Sequence, residues 1–134
     1  MASELKIGFL GAGKMATALA QGFLKAGLVS AGDLFASDPM ETSRAAFAKA
    51  IGCATGSSNL EAARFGRVVI LAVKPDQAGE VLEEVGEQLT EKQLLISIAA
   101  GVPLARLEGT LGSQIRVVRV MPNTPALVGA SATA

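Results

Sequence analysis

The sequence predicts a doubly wound α/β domain, in which helices cover both faces of a parallel β-sheet. Strand-like and helix-like segments alternate through all 134 residues, and the strand-like segments include continuous apolar runs, as expected of strands buried on both faces. Half of the residues are hydrophobic, and a chain of this length can bury one core. We therefore expect residues 1–134 to form a single domain.

The composition argues against several classes of function. Twelve Lys and Arg residues balance twelve Asp and Glu residues without a basic run, so we expect no nucleic-acid partner and no membrane surface. The chain lacks His, Tyr and Trp, and its single cysteine, Cys53, allows neither an internal disulfide nor a zinc cluster, so we expect no metal. No apolar run approaches the ~20 residues of a membrane span. Because the N-terminus also lacks a leader-like pattern, we expect a cytoplasmic protein.

A glycine turn joins the first predicted strand to the first predicted helix. The apolar run 7–10 is followed by Gly11, Gly13 and Ala16 in the spacing GxGxxA. In a dinucleotide-binding βαβ unit, the first glycine permits the turn, the second lets the backbone approach a pyrophosphate, and the third small residue lets helix and strand pack. A purely structural glycine turn fits this strand-turn-helix context less well, so the sequence predicts a dinucleotide site.

The second predicted strand leaves two interpretations of the coenzyme. Ligands lie outside the carboxyl ends of parallel strands, so Asp33 is at the wrong end and Ser37 and Asp38 are the candidates. Asp38 would either accept a hydrogen bond from a ribose 2′-hydroxyl, which favours NAD, or cap a helix that has Pro39 at its first position. The cap, which is slightly favoured, leaves Ser37 and Arg44 to meet a 2′-phosphate and so favours NADP(H) over NAD(H).

Later strand ends supply further candidates. Asn59 begins a short helix, where it is either the N-cap, the safer interpretation from residue type, or a hydrogen-bonding partner of adenosine. The apolar strand 67–73 ends at Lys74, which either lies beside the coenzyme or is simply solvated. The small residues 99–101 follow the next strand and either admit a flat nicotinamide ring or form a tight turn.

The segment 121–125 contains two prolines, which forbid a helix and stiffen the chain. It is either a rigid linker out of the sheet or the floor of a nicotinamide and substrate pocket. In the second case, Asn123 and Thr124 supply an amide and a hydroxyl on the substrate side.

Four segments in this order and spacing resemble the N-terminal, Rossmann-type domain of pyrroline-5-carboxylate reductase. They are residues 9–16, 72–75, 97–102 and 120–126. The sequences Ala-Val-Lys-Pro at 72–75 and Met-Pro-Asn-Thr-Pro-Ala at 121–126 are much more specific than the glycine motif. The resemblance covers essentially the whole chain and implies reduction of Δ1-pyrroline-5-carboxylate to L-proline by NADPH or NADH, the last step of proline biosynthesis.

The resemblance also implies roles for individual residues. Residues 10–15 would hold the pyrophosphate, Ser37 and Asp38 the adenosine ribose, and residues 72–75 and 99–101 would line the nicotinamide half. Asn59 matches a coenzyme-contacting asparagine of the family, which raises this interpretation above the helix cap. The complete set of coenzyme candidates is Leu10, Gly11, Ala12, Gly13, Lys14, Met15, Ser37, Asp38, Asn59, Ala72, Val73, Lys74, Pro75, Ala99, Ala100 and Gly101.

Two residues depart from the family pattern. Lys14 stands where many relatives have an uncharged polar residue, which adds a cation near phosphate. Asp38 stands where some NADP users have serine, which puts the coenzyme preference in doubt. A protonated cyclic imine already accepts hydride, so no catalytic side chain is required from this chain.

Members of the family continue into a helical domain that supplies most of the substrate pocket and the dimer interface. We therefore expect this chain to be the coenzyme-binding part of a homo-oligomeric protein and to turn over little substrate alone. The rival interpretations are another reductase with a similar domain, such as a prephenate or β-hydroxyacid dehydrogenase, and a non-catalytic nucleotide-sensing module.

Overall fold

The computed structural model of the chain describes residues 5–99, 104–111 and 115–120. Strands and helices alternate as the sequence predicts. In chain order they are β1 (Ile7–Leu10), α1 (Lys14–Lys25), a 3₁₀ turn (Ala31–Asp33), β2 (Leu34–Ser37), α2 (Glu41–Ile51), β3 (Ala54–Gly56), α3 (Asn59–Phe65), β4 (Val68–Leu71), α4 (Pro75–Val85), β5 (Leu94–Ser97), α5 (Leu104–Leu111) and β6 (Arg116–Arg119).

The six strands form one parallel sheet in the order β3-β2-β1-β4-β5-β6. The chain builds outward from β1 through β2 and β3, then returns to place β4 on the other side of β1. This reversal creates a crevice at the carboxyl edge of the sheet, where doubly wound folds bind their ligands. The predicted fold class is confirmed.

Two apolar clusters pack on the faces of the sheet. Helices α1 and α2 cover one face, where Phe9 of β1 stacks with Phe23 of α1 and contacts Phe47 of α2. The other cluster contains buried residues of α3, α4 and α5, including Leu82 and Leu107. The central strands β1 and β4 are consequently buried on both sides, which explains their continuous apolar sequences.

Helix α3 lies unusually close to β1. A Cβ atom added to Gly8 would collide with the backbone carbonyl oxygen of Ala62, and one added to Gly66 would collide with the backbone nitrogen of Gly8. Both clashes involve backbone atoms, which cannot move aside by changing a rotamer. Glycine at positions 8 and 66 therefore sets the distance between this helix and the sheet.

Two predicted boundaries shift in the structure. The second strand begins at Leu34, because Ala31–Asp33 forms a 3₁₀ turn in which the Asp33 carboxylate accepts from the Ser30 backbone and hydroxyl. Helix α2 begins at Glu41, with Met40 as its N-cap residue, so the prediction of Asp38 as N-cap and Pro39 at the first helical position is wrong. In the described part of the chain, no helix has the length and apolarity to cross a membrane.

Asp33 is a structural residue at the amino edge, as its position in the sequence predicts. It is 6% exposed, and its carboxylate accepts a hydrogen bond from Lys6 Nζ at 2.8 Å. The Lys6 hydrogen bond, together with that from the Ser30 backbone, lowers the pKa of Asp33 from 3.8 to about 2.

This lowered pKa predicts a pH dependence of stability. A carboxylate whose pKa is lower in the folded state stabilises the fold above its unfolded pKa, and this contribution is lost as the pH falls through the folded value. We expect Asp33→Asn to destabilise the protein at neutral pH and to flatten the loss of stability between about pH 4 and pH 2. Urea unfolding of both proteins across this range tests the prediction; parallel pH profiles would contradict it.

Candidate functional site

The carboxyl ends of the strands lie side by side along one edge of the sheet. Leu10, Ser37 and Leu71 are paired across β1, β2 and β4, and Ser97 continues the row on β5. Hydrogen bonding continues just beyond these residues, where the backbone of Ala72 donates to Leu10 at 2.8 Å. The segments that follow β1, β2 and β4 therefore meet at this edge, as a ligand lying along it requires.

The glycine turn begins immediately after β1. Gly11 has a φ of 107°, which side-chain-bearing residues rarely adopt, and its N–H donates to the Ser37 carbonyl oxygen at 2.8 Å. A Cβ atom at Gly11 would also lie 2.8 Å from the Ala72 carbonyl oxygen. Gly11 is therefore required by the fold as well as by the predicted site.

Gly13 differs from Gly11 because the described structure gives no steric reason for a glycine there. Its φ is −82°, it is exposed, and a Cβ atom added to it would meet no described atom within 4 Å. Gly13 is the N-cap of α1 and no side chain caps that helix end. The N–H groups of the first turn have no acceptor within the helix, and the residue that precedes them is an exposed glycine.

Asp38 holds the glycine turn against the end of β2. One carboxylate oxygen accepts from the Ala12 N–H at 2.9 Å, and the other accepts from the Met40 N–H at 2.9 Å. The Asp38 carboxylate therefore lies near the start of α2 without being its N-cap. It also accepts a hydrogen bond from the Ala12 N–H, which belongs to the turn that is predicted to bind the pyrophosphate. Both oxygens keep a further lone pair for another donor.

Arg44 on α2 reaches back to the same strand end. Its Nη1 donates to the Asp38 carbonyl oxygen at 2.8 Å, so a guanidinium is anchored beside the tip of β2. A guanidinium has five N–H donors in a planar fork, so donors remain for an anion after this single bond. The sequence interpretation named Arg44 as a possible phosphate contact, and the structure places it next to Asp38.

Leu10 and Ser37 lie beneath the site. Both are 0% exposed; Leu10 packs in the core, and the Ser37 hydroxyl donates to Asn59 Oδ1 at 2.7 Å. Neither side chain is exposed in this structure, and the coenzyme contacts of both residues stay predictions. Ser37 instead supports Asn59, which is closer to the surface.

Asn59 connects three elements of the site. Its Oδ1 accepts from Ser37 at the end of β2, and its Nδ2 donates to Glu84 Oε1 on α4 at 2.9 Å. The N-cap of α3 is Ser58, which accepts a hydrogen bond from the Glu61 backbone at 3.4 Å, so the interpretation of Asn59 as the cap, which rested on residue type alone, is wrong. The two side-chain hydrogen bonds fix which end of the Asn59 amide faces outward.

A cavity of about 220 Å³ lies between the glycine turn and α4. Gly11 and Val73 border it near the sheet, and Asn59, Glu80 and Glu84 are among its polar lining residues. Val73 therefore shares a pocket with Asn59, although the sequence interpretation assigned the two residues to opposite halves of the coenzyme. The return of the chain from β3 to β4, on the other side of β1, brings them together.

A second groove, of about 470 Å³, runs from the glycine turn between α1 and α2. Ala12 and Lys14 line it at the turn, and small or polar side chains of both helices line the remainder. Lys14 is exposed to solvent. Met15 is partly buried and packs against the apolar cluster on the sheet face that α1 and α2 cover. Of the predicted pyrophosphate residues 10–15, Gly13 and Lys14 are exposed and Met15 is partly exposed, whereas residues 10–12 are buried.

The predicted nicotinamide-side residues are described only in part. Lys74 is the N-cap of α4 and Pro75 occupies the first turn, and both are exposed at the carboxyl edge. Ala72 is partly buried and Ala99 is 3% exposed at the end of β5. The remaining predicted residues of this half and of the substrate side lie outside the described residues: Ala100, Gly101, Asn123 and Thr124.

Cys53 takes no part in this edge. It follows α2 and precedes β3, and burial raises the pKa of its thiol to about 11, so the thiol is protonated at neutral pH. Among the described residues, no three His, Cys, Asp or Glu side chains are grouped in a way that could hold a metal ion.

Sequence reasoning missed the contribution of α4. Glu84 is not among the sequence candidates, whereas in the structure it accepts a hydrogen bond from Asn59 and borders the cavity. Its spacing from Gln77 and Glu80 follows the helical period, which places all three on one face of α4. That spacing was visible in the sequence, but the strand end that this face meets was not.

Comparisons with known proteins agree with this geometry. A family model described as NADP oxidoreductase coenzyme F420-dependent matches residues 6–101. The chain is 44% identical over 128 residues to a pyrroline-5-carboxylate reductase of Methanosarcina acetivorans, which covers 96% of this chain and 47% of that protein.

Two solved structures are also similar. A pyrroline-5-carboxylate reductase from Coxiella burnetii has a TM-score of 0.87 at 34% identity, covering 94% of this chain and 47% of the other. Pyrroline carboxylate reductase from Plasmodium falciparum, solved with NADP bound, has a TM-score of 0.78 at 38% identity, covering 96% and 46%. The predicted resemblance is confirmed, a pyridine-nucleotide coenzyme is supported, and the chain spans about half the length of these relatives.

Proposed function

Because this chain belongs to the family described as NADP oxidoreductase coenzyme F420-dependent, we propose that it is the dinucleotide-binding domain of a pyrroline-5-carboxylate reductase. The protein would reduce Δ1-pyrroline-5-carboxylate to L-proline, the last step of proline biosynthesis. The observation that carries the proposal is Gly13, which the described fold does not need but which leaves room for a pyrophosphate at the start of α1. The relatives named as pyrroline-5-carboxylate reductases favour this substrate over those of the rival dehydrogenases.

The residues at the edge fit a dinucleotide. The start of α1 and Lys14 offer N–H groups and a cation for the pyrophosphate, and the cavity beside Asn59 has both apolar and hydrogen-bonding lining residues, as a nucleoside requires. Lys74 and Ala99 would lie toward the nicotinamide half. A bound nicotinamide coenzyme would supply hydride to the imine carbon.

The contribution of this chain is binding and orientation. A protonated cyclic imine is already a good hydride acceptor, so the protein has mainly to align the two reactants and exclude water. The absence of His and Tyr from the sequence is compatible with that role. We assign no catalytic residue to the chain; in this proposal Asn123 and Thr124 lie on the substrate side.

We favour NADP(H) over NAD(H). The Asp38 carboxylate faces two backbone N–H groups, which offset its charge, while Arg44 is anchored at the same strand end with donors to spare. A 2′-phosphate held at this position would gain a charge-assisted hydrogen bond from Arg44. The NADP bound to the Plasmodium falciparum relative agrees with this preference.

The complete protein would be longer than this chain. Because the chain spans about half the length of its relatives, the remaining half would supply most of the substrate pocket and a homo-oligomeric interface. We propose a cytoplasmic enzyme, consistent with a biosynthetic role. The 134-residue chain alone would bind NADPH but form little proline.

The reaction and the coenzyme preference are tested together. The protein carrying this chain is assayed for loss of NADPH or NADH absorbance with Δ1-pyrroline-5-carboxylate, and the product is identified as proline by mass spectrometry. Prephenate and 3-hydroxy acids, which donate hydride, are assayed for formation of NADPH or NADH from NADP+ or NAD+. We expect turnover with this substrate and none with prephenate or 3-hydroxy acids. Activity with only the latter substrates would replace the proposal by a rival dehydrogenase, and binding without turnover of any of them would favour a nucleotide-sensing module.

In the same assay, Arg44→Ala is expected to raise the KM for NADPH about tenfold, because a charged hydrogen bond to the 2′-phosphate is lost. The KM for NADH should change less than about twofold. Asp38→Ser removes a negative charge from the same strand end, so it should lower the KM for NADPH relative to the KM for NADH. Equal effects of Arg44→Ala on the two coenzymes would refute the preference while leaving the reaction intact.

A further inference from the structure

The cavity between the glycine turn and α4 carries charge of one sign only. Its charged lining side chains are Glu80 and Glu84, and neither Lys nor Arg is among the described residues that border it. A phosphate would be repelled there, because two carboxylates face it without a compensating cation. The part of a dinucleotide that fits is therefore a neutral one that offers hydrogen-bond donors.

The other walls of the cavity suit a flat ring. Val73 and Val81 supply apolar surface, and Gly11 connects the cavity directly to the turn where the pyrophosphate is proposed to lie. A purine has two apolar faces and a polar edge, and it is joined to the pyrophosphate through its ribose. The base end of the coenzyme thus matches this cavity in both polarity and position.

The polar edge of the cavity has a defined order of hydrogen-bonding groups. The buried Ser37 hydroxyl donates to Asn59 Oδ1, so the Asn59 amide is turned with its nitrogen outward, where it donates to Glu84 Oε1. An amide nitrogen has a second N–H, and a carboxylate accepts several hydrogen bonds. Asn59 and Glu84 therefore present a donor beside an acceptor.

We propose that Glu84, with Asn59 held in place by Ser37, selects a 6-aminopurine as the base of the coenzyme. Adenine has this complementary order, since its exocyclic amino group is a donor and the adjacent ring nitrogens are acceptors. Hypoxanthine has a carbonyl oxygen in place of the amino group, and that oxygen would face the carboxylate of Glu84. The proposal rests on the proposed dinucleotide function and adds the residue that reads the base.

The test compares NADPH with its deaminated analogue, reduced nicotinamide hypoxanthine dinucleotide phosphate. Dissociation constants are measured on the purified protein by the fluorescence of the reduced nicotinamide, which is the same in both ligands. We expect the wild-type protein to bind NADPH at least about tenfold more tightly, because the analogue loses one hydrogen bond to a charged group and opposes two acceptors.

Substitutions at Glu84 separate base recognition from general binding. Glu84→Gln replaces the carboxylate by an amide that can donate to the hypoxanthine oxygen, so the preference for NADPH is expected to shrink to within about threefold. Glu84→Ala should also reduce the preference. The matched control is Glu83→Gln, which alters the neighbouring carboxylate on the same helix but does not border the cavity; its preference should equal that of the wild type.

The outcomes distinguish the two proposals. An unchanged preference in both Glu84 variants, or equal affinities in the wild-type protein, would overturn the assignment of Glu84 while the dinucleotide function stands. Failure to bind either coenzyme would overturn the dinucleotide function and the base assignment with it. A reduced preference in the Glu84 variants but not in Glu83→Gln would support the assignment.

Discussion

Gly13→Ala is expected to lower the affinity for NADPH at least about a hundredfold while leaving the fold intact. The added methyl group meets no described atom within 4 Å, so the folded protein accommodates it. The same methyl group would occupy the space through which a pyrophosphate approaches the first turn of α1, and it would block those N–H groups. Affinity is measured by fluorescence titration with NADPH, and stability by thermal unfolding.

Thermal unfolding shows whether a loss of affinity comes from a blocked site or from a damaged fold. Replacing an N-cap glycine by alanine costs at most about 1 kcal/mol, so the melting temperature should fall only slightly. Gly22→Ala is the matched control, because Gly22 is exposed on the same helix and its Cβ would also meet nothing within 4 Å. If Gly13→Ala binds NADPH as tightly as Gly22→Ala does, the site at the start of α1 is refuted.

Gly8→Ala is expected to have the largest effect on stability, a loss of about 3 kcal/mol or more in the free energy of unfolding. The new Cβ would collide with the backbone carbonyl oxygen of Ala62, so α3 must move away from β1 and the packing between them must open. Overpacking against a side chain can relax by rotation, but this contact is with backbone. Urea unfolding with a linear extrapolation measures the loss.

Gly32→Ala provides the comparison for this substitution. Gly32 is exposed in the 3₁₀ turn before β2, and a Cβ atom there would meet no described atom within 4 Å. The free energy of unfolding of the Gly32→Ala protein should therefore differ from that of the wild type by less than about 0.5 kcal/mol. A Gly8→Ala protein as stable as Gly32→Ala would show that α3 does not lie against β1 as described.

Much of the architecture could be predicted because the relevant forces are local or periodic. Continuous apolar runs identified β1 and β4, since strands covered on both faces need no polar alternation. Alternation of strands and helices then restricted the topology to a parallel sheet, because a crossover helix is the short route between parallel strands. The position of Asp33 at the amino end of β2 followed from the same rule.

The details of the site were less predictable because they depend on contacts between distant segments. Asp38 and Asn59 both looked like helix caps, a judgement that uses only neighbouring residues. The structure gives Asp38 a partner in the glycine turn, 26 residues away, and gives Asn59 partners on β2 and α4, 22 and 25 residues away. Residue type and spacing cannot rank a nearby backbone N–H against a distant one.

The fold class, the glycine turn and the edge of the sheet where a ligand would lie can be read from the amino-acid sequence, because they depend on hydrophobic period and on strand direction. Which candidate side chains reach that edge depends on the packing of distant segments. The tertiary structure buries Leu10 and Ser37, turns Asp38 onto the turn, and brings Glu84 to Asn59. These contacts arise because the chain returns from β3 to β4 on the other side of β1 and packs α3 against α4, and no local pattern encodes them.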